Sequence, residues 1–198
     1  DIRSAKIAAW FKEKMMTILS RLSMATAAVL MSTAVFAANP NVGGAAMFEN
    51  KNIVENAINS ADHTTLVAAV KAADLVDTLQ SDGPFTVFAP VNLAFEALPA
   101  GTVDMLLQPE NKATLTKVLT AHVVAGNWSA ADIIRETKAS KDGFYHFEAV
   151  SGDALSAQVR GGQVYIYDES GNASMITIAD VNQSNGVIHV VDKVLLPK

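Results

Sequence analysis

The chain contains no cysteine among its 198 residues. This absence excludes disulfide bonds, thiol catalysis and cysteine-ligated zinc. The sequence also lacks a Gly-x-Ser-x-Gly nucleophile motif, a phosphate loop and a Gly-x-Gly-x-x-Gly nucleotide motif. Its four histidines are not spaced as zinc ligands, and no calcium-loop pattern of carboxylates occurs. We therefore predict a protein that is not an enzyme and has no cofactor and no metal site.

Positive charge is scarce. The chain has 15 Lys and Arg against 20 Asp and Glu, a net charge of −5. Residues 1–37 hold five of those basic side chains and only two of the acidic ones, so the remaining chain is more acidic still. Because nucleic-acid phosphates require clustered Lys and Arg, nucleic acid is not a predicted partner. Half of the residues are hydrophobic, which is enough for a packed core.

Long hydrophobic runs are also missing, and the longest apolar stretch lies near the N-terminus. A short basic start at Met15–Arg21 is followed by apolar and small residues at Leu22–Ala34 and by Val35-Phe36-Ala37. This order is typical of a secretory signal peptide at 15–37, cleaved after Ala37. The alternative is an uncleaved membrane anchor, but the apolar stretch is only about fifteen residues where a span needs roughly 20. We expect a secreted or periplasmic protein.

The segments flanking this signal are interpreted from their composition. Residues 1–14 precede the plausible start methionines and are interpreted as a leader or an artificially added segment. Residues 38–46 contain Pro40, Gly43 and Gly44 and are predicted to be a linker. Residues 47–198 show no internal repeat and are predicted to form a single domain.

The periodicity of this domain changes from helical to extended along the chain. Apolar residues recur at helical spacing up to about residue 134, interrupted by a strand, Phe85–Ala89, after Gly83-Pro84. From Phe144 onward the pattern alternates, with a hairpin predicted at Gly161-Gly162 and a last strand after Asn185-Gly186. Further strands are expected at 145–150, 154–160, 164–167 and 174–180. Helices followed by strands predict an α+β fold.

Two segments, in this order and at this separation, carry a family resemblance. Gly83–Phe95 includes the run Thr-Val-Phe-Ala-Pro-Val-Asn-Leu-Ala-Phe, and Gly186–Pro197 begins Gly-Val-Ile-His-Val-Val-Asp. Together with Thr65–Ala73 and Leu98–Val103, they resemble fasciclin (FAS1) domains, most closely those of secreted single-domain bacterial proteins. The resemblance implies a wedge-shaped β-sandwich with several helices packed against it. It also implies a non-catalytic adhesion or binding module whose partner is an unidentified protein or cell-surface or matrix component.

Three positions depart from the family pattern. Val91 and Leu93 stand where Thr and Glu are usual. Ala121-His122 stands where the family commonly has a Tyr-His pair, to which integrin binding has been attributed in some animal members. Because the tyrosine is absent, integrin binding is not carried over to this chain.

Five residues are candidate binding positions, each with a structural alternative. His122 is either a buried structural histidine or a residue of a partner-binding surface, and His189 is either a structural histidine at a strand edge or a residue with a ligand-binding role. Asn92 is predicted to cap the helix that starts at Leu93, and Asp192 to fix the turn before Val194. Trp128 follows Gly126-Asn127 in a loop and is interpreted either as an exposed anchor or as a core residue.

Two other functions remain open at this point. A periplasmic carrier of a small apolar ligand would need an apolar pocket between the helices and the sandwich. A membrane-tethered accessory subunit would need the 15–37 segment to be retained.

Overall fold

The computed structural model describes residues 39–198, which form helices and one large sheet. The helices are α1 (Ile53–Ala57), α2 (Thr64–Ala72), α3 (Val76–Gln80), α4 (Asn92–Glu96), α5 (Thr102–Leu106), α6 (Lys112–Thr120) and α7 (Ala130–Ala139), with 3₁₀ turns at Ala61–His63 and Pro109–Asn111. The strands are β1 (Asn41–Val42), β2 (Ala45–Ala46), β3 (Phe85–Pro90), β4 (Val123–Ala125), β5 (Phe144–Glu148), β6 (Ala154–Arg160), β7 (Gln163–Tyr167), β8 (Ala173–Gln183) and β9 (Gly186–Val191). The α+β prediction is confirmed.

The large sheet has seven strands in the order β4-β3-β9-β8-β7-β6-β5. Strands β3 and β9 are parallel, with Phe85 opposite Gly186, and all other neighbours are antiparallel. The two ends of the sheet meet, since Val124 bridges Ala149 just after β5 and the Val150 N–H donates to the Val123 carbonyl at 2.7 Å. The sheet therefore curls into a nearly closed, sandwich-like body.

The central strands separate two hydrophobic cores. In β3, Val87 and Ala89 face the helices, whereas Phe88 faces the interior between the two halves of the sheet. In β9, Ile188 and Val190 point to the helices. Every residue of β9 is buried, as expected for a strand covered on both faces.

The β6–β7 hairpin forms at the predicted glycines. Gly161 and Gly162 have φ values of 57° and 83°, and Arg160 pairs with Gln163 across them. Positive φ at both central positions matches the right-handed twist of the strands and is strained for most residues other than glycine. The local sequence signal was therefore sufficient here.

The predicted linker at 38–46 is wrong for most of its length. Strands β1 and β2 form a small hairpin, and Val42 within it is only 3% exposed. The Gly43 carbonyl accepts from the Ala61 N–H at 3.0 Å. A side chain at Gly43 would lie 2.4 Å from Ser60 Oγ, so glycine serves close packing rather than flexibility.

The predicted leader at 1–14 and signal peptide at 15–37, with cleavage after Ala37, lie outside the described residues. Within residues 39–198, no helix is long and apolar enough to cross a membrane.

Candidate functional site

The five candidate residues do not come together in one site. His189 and Trp128 are hydrogen-bonded to each other, while His122, Asn92 and Asp192 each fasten a different pair of elements. Among the described residues, no group of three His, Asp or Glu side chains is arranged to hold a metal ion. These residues make structural hydrogen bonds that connect different elements at separate places in the domain.

His189 lies in the middle of the sheet, not at the predicted strand edge. Its side chain is fully buried; Nε2–H donates to the Trp128 carbonyl at 2.7 Å, and Nδ1 accepts from the Asp180 N–H at 3.2 Å. Burial lowers the pKa of His189, and the hydrogen bond to the Trp128 carbonyl only partly opposes this. The imidazole connects the β8 bulge to the loop before α7 and is removed from any surface that a partner would contact.

Trp128 is half-buried in a tightly held loop. Its indole N–H donates to the Ala125 carbonyl at 3.2 Å, and its ring centroid lies 5.3 Å from that of Tyr145. Its backbone N–H donates to Thr86 Oγ1, which in turn donates to the Gly126 carbonyl. Trp128 thus contributes to the inner core with one part of its surface, and its use as a binding anchor stays a prediction.

His122 joins helix α6 to the C-terminal segment, defined here as residues 192–198. The ring is 2% exposed; Nδ1–H donates to the Val118 carbonyl and Nε2 accepts from the Leu195 N–H, both at 2.8 Å. These two partners fix a neutral tautomer. Burial lowers the pKa of His122 to about 4, against weaker raising effects from the Val118 carbonyl and Asp168. The surroundings of His122 are those of a buried structural histidine with two backbone partners, and its ring does not lie on the surface.

Asp168 also holds the C-terminal segment, through a hydrogen bond to its carboxylate. Asp168 is 6% exposed, and its Oδ2 accepts from the Leu196 N–H at 3.0 Å. Its Oδ1 accepts from the backbone N–H groups of Ser170 and Asn172, which closes the β7–β8 turn. The carboxylate is therefore satisfied by backbone donors.

Asp192 acts across the sheet rather than on the turn before Val194, which corrects that prediction. Its Oδ1 accepts from the Met175 N–H at 2.7 Å, and its own N–H donates to the Met175 carbonyl at 3.1 Å. The side chain thus extends the pairing of β8 beyond the end of β9.

Asn92 does not cap its own helix, which corrects the prediction for it. The residue before it, Val91, is the N-cap of α4 and makes no side-chain cap. Asn92 Oδ1 instead accepts from the Thr65 N–H at 3.0 Å and from Thr64 Oγ1 at 3.2 Å, at the first turn of α2. Its Nδ2 donates to the Ala61 carbonyl at 2.9 Å. One side chain therefore positions α4 against the start of another helix.

An apolar cavity lies between the helices and the sheet, and sequence reasoning assigned no residues to it. Its volume is about 70 Å³. Its base is formed by β3 and β9, and its walls mainly by α1, α2 and α3, with Leu119 and Thr120 of α6 beside them. Lining residues include Ile53, Leu66, Val67, Val70, Lys71, Leu79, Val87, Ala89, Val150 and Ile188. The apolar faces of α2 and α3 were visible in the sequence, but their failure to meet completely was not.

The fold and these hydrogen bonds define a module of helices packed on a sheet. Among the described residues, no set of side chains is arranged for catalysis. A model of the fasciclin domain family matches residues 61–197. The chain belongs to the fasciclin family.

Curated relatives share long stretches of the chain. Protein sll1483 of Synechocystis is 49% identical over 156 residues, covering 79% of each protein. Immunogenic protein MPB70 of Mycobacterium bovis is 35% identical over 146 residues, 71% of this chain and 66% of that protein. Transforming growth factor-beta-induced protein ig-h3 of Sus scrofa is 34% identical over 137 residues, 67% of this chain but only 17% of that protein.

A solved structure supports the fold independently. A FAS1 domain pair from the insect cell adhesion molecule fasciclin I matches with a TM-score of 0.65 and 17% identity, covering 74% of this chain and 51% of that one. At this identity the match establishes the fold alone. The prediction of a FAS1 fold is confirmed.

Proposed function

We propose that this chain is an exported, non-catalytic recognition module that binds an unidentified protein or a cell-surface or matrix component. Membership of the fasciclin family supports a non-catalytic, adhesion-type module. One structural match is described as a cell adhesion molecule. The signal-peptide pattern at 15–37 supports export, with a mature chain beginning at Ala38.

The exposure of Leu93 is the observation that carries this proposal. Leu93 is 71% exposed, the highest value among the large hydrophobic residues described as exposed. Its neighbours are fixed, since Asn92 is hydrogen-bonded to α2 and Ala94 and Phe95 are buried. An apolar side chain on a rigid support loses little conformational entropy on binding and can serve as an anchor.

We expect Leu93→Ser to weaken binding to the native surface by about tenfold, because losing the partial burial of a leucine side chain costs on the order of 1–2 kcal/mol. The measurement is the retention of labelled mature protein, over a concentration series, on washed cells and on extracellular matrix of the producing organism.

Glu96→Gln, an exposed change on the same helix, is the matched control and should bind like the wild type. Thermal unfolding of both variants establishes that the fold is intact. Equal retention of Leu93→Ser and wild type would remove Leu93 from the binding surface.

A second function, a carrier of a small apolar ligand, is favoured by the cavity. Its lining surface is almost entirely apolar, and cavities of this kind hold water poorly. A water needs about 10–15 Å³, so the space is equivalent to several water molecules. Filling it with hydrocarbon would bury apolar surface without displacing well-bound water.

We expect the protein purified from its own cells to carry a bound apolar molecule, seen as an added mass by native mass spectrometry. Val67, a half-buried residue of the cavity lining, offers a test. Val67→Trp should abolish the added mass, whereas Ala68→Trp, at the exposed neighbouring position, should retain it. An unliganded wild-type mass would count against the carrier function and leave the recognition function untouched.

A further inference from the structure

One lysine lines the cavity and is also exposed to solvent. Lys71 is in the last turn of α2, is exposed, and lines the cavity. A lysine in such a position packs its methylene groups along apolar surface and keeps its ammonium group in water. An otherwise apolar cavity therefore has a cationic residue at its edge.

The surrounding groups leave this charge without an internal counterion. No aspartate or glutamate lines the cavity within the described residues. Asp74, three residues further along, is paired with Lys112, and Lys71 makes no ion pair within residues 39–198. The other ionisable groups in the lining are His63 and His122, both buried.

Both of these histidines are already satisfied and neutral. His63 Nδ1 accepts from Ser60 Oγ at 2.9 Å and Nε2–H faces the Ala89 carbonyl at 3.4 Å. Burial lowers the pKa of both rings. The charge of the cavity therefore resides in Lys71, at the edge rather than in the depth.

The geometry points to an amphipathic anion as the ligand: an aliphatic chain in the cavity and a carboxylate or similar acidic head group at the Lys71 ammonium. This inference rests on the carrier function proposed above and specifies its ligand class. Lys71 lies at the C-terminal end of α2, where the helix dipole alone disfavours an anion. The ammonium group is therefore what makes an acidic head group acceptable at this mouth.

The test compares octanoate with octan-1-ol, two probes that share an alkyl chain and differ in charge. Binding is measured by calorimetry at pH 7.5 and low salt on the mature protein stripped of any co-purified ligand. We expect octanoate to bind more tightly than the alcohol. Lys71→Ala should lower the affinity for octanoate about two- to fivefold, the range expected for loss of an exposed ion pair. Lys71→Glu should lower this affinity further. Neither substitution should change the affinity for octan-1-ol by more than about twofold. Adding 1 M salt should reduce the difference in affinity between octanoate and octan-1-ol.

Lys138→Glu is the matched control. It makes the same change in net charge at an exposed lysine of α7 that does not line the cavity, and it should leave octanoate binding unchanged. Equal weakening by Lys138→Glu and Lys71→Glu would overturn the assignment of the head group to Lys71. Equal affinities of the two probes in all variants would also overturn it, and the carrier function would then stand for neutral ligands. Binding of neither probe would overturn both the ligand class and the carrier function.

Discussion

Lowering the pH from 7 to 4 is expected to remove about 3 kcal/mol of folding free energy through His122 alone. The folded pKa is about 4, against 6.5 for an unperturbed imidazole. At a pH between these two values, His122 is protonated in the unfolded chain and neutral in the folded chain. Stability is therefore fully present above the unfolded pKa and is lost as the pH falls from about 6.5 to about 4. Burial also lowers the pKa of His63 and His189, so their contributions have the same sign.

The structural route of this acid sensitivity runs through the C-terminal segment. A proton on Nε2 of His122 would face the Leu195 N–H, so that two donors point at each other. On the other side of the ring, Nδ1–H already donates to the Val118 carbonyl. Asp168, the nearby carboxylate, is occupied by the Leu196 N–H and by the donors of its own turn. The charged ring consequently gains no new hydrogen-bond partner, and the attraction to Asp168 only partly offsets the cost of burial.

Chemical denaturation of wild type and His122→Gln at pH 7, 5.5 and 4 measures this effect. The glutamine oxygen can accept from the Leu195 N–H but cannot titrate, so the variant should be less stable at pH 7 by about 1–3 kcal/mol and should depend less on pH. Leu93→Ser, an exposed change that adds and removes no titratable group, should keep the wild-type dependence of stability on pH. An identical pH profile for His122→Gln and wild type would contradict the assignment.

Phe88→Ala is expected to lower the free energy of unfolding by about 3–5 kcal/mol. Phe88 is 1% exposed on the central strand β3. Its ring centroid lies 5.8 Å from that of His189 and 6.0 Å from that of Phe147, so it fills the space between β9 and β5. Removal leaves a cavity where both halves of the sheet meet. Since domains are stable by about 5–15 kcal/mol, the loss is a large fraction of the total.

Urea denaturation gives the magnitude directly. Phe48→Ala is the control, because Phe48 is 40% exposed and its removal should cost about 1 kcal/mol or less. Phe88→Leu, which keeps most of the volume, should fall between the two. A loss below about 2 kcal/mol for Phe88→Ala would show that the surrounding side chains collapse into the space.

Features encoded by short stretches of sequence could be predicted. The alternating residues after Phe144 form strands, and the Gly161-Gly162 turn lies where its backbone preference required. The run Ser129–Asp132 has the spacing of a capping box, and Ser129 Oγ accepts from the Asp132 N–H at the start of α7. In each case the interacting groups are within a few residues of one another.

Features that depend on distant partners were predicted wrongly or not at all. Asparagine is a residue type that commonly caps helices, and Asn92 was predicted to do so. Its side chain instead accepts from the backbone N–H of Thr65, 27 residues earlier. His189 was predicted at a strand edge, whereas its central place follows from the parallel pairing of β3 with β9, which local patterns do not encode. The cavity beside Lys71 depends on how closely three helices approach the sheet, which periodicity cannot specify.

The parallel pairing of β3 with β9 also sets when this chain can complete its fold. Phe85 has no partner on that side until Gly186 has been synthesised, and the C-terminal segment that reaches His122 follows later still. A chain emerging gradually from the ribosome therefore lacks its closing strand until residues 186–191 have been synthesised. Truncation at residue 185 would remove the strand between β3 and β8, leaving each with an unpaired edge open to self-association, and the two halves of the sheet would stay in contact only where Val123 and Val124 meet Ala149 and Val150.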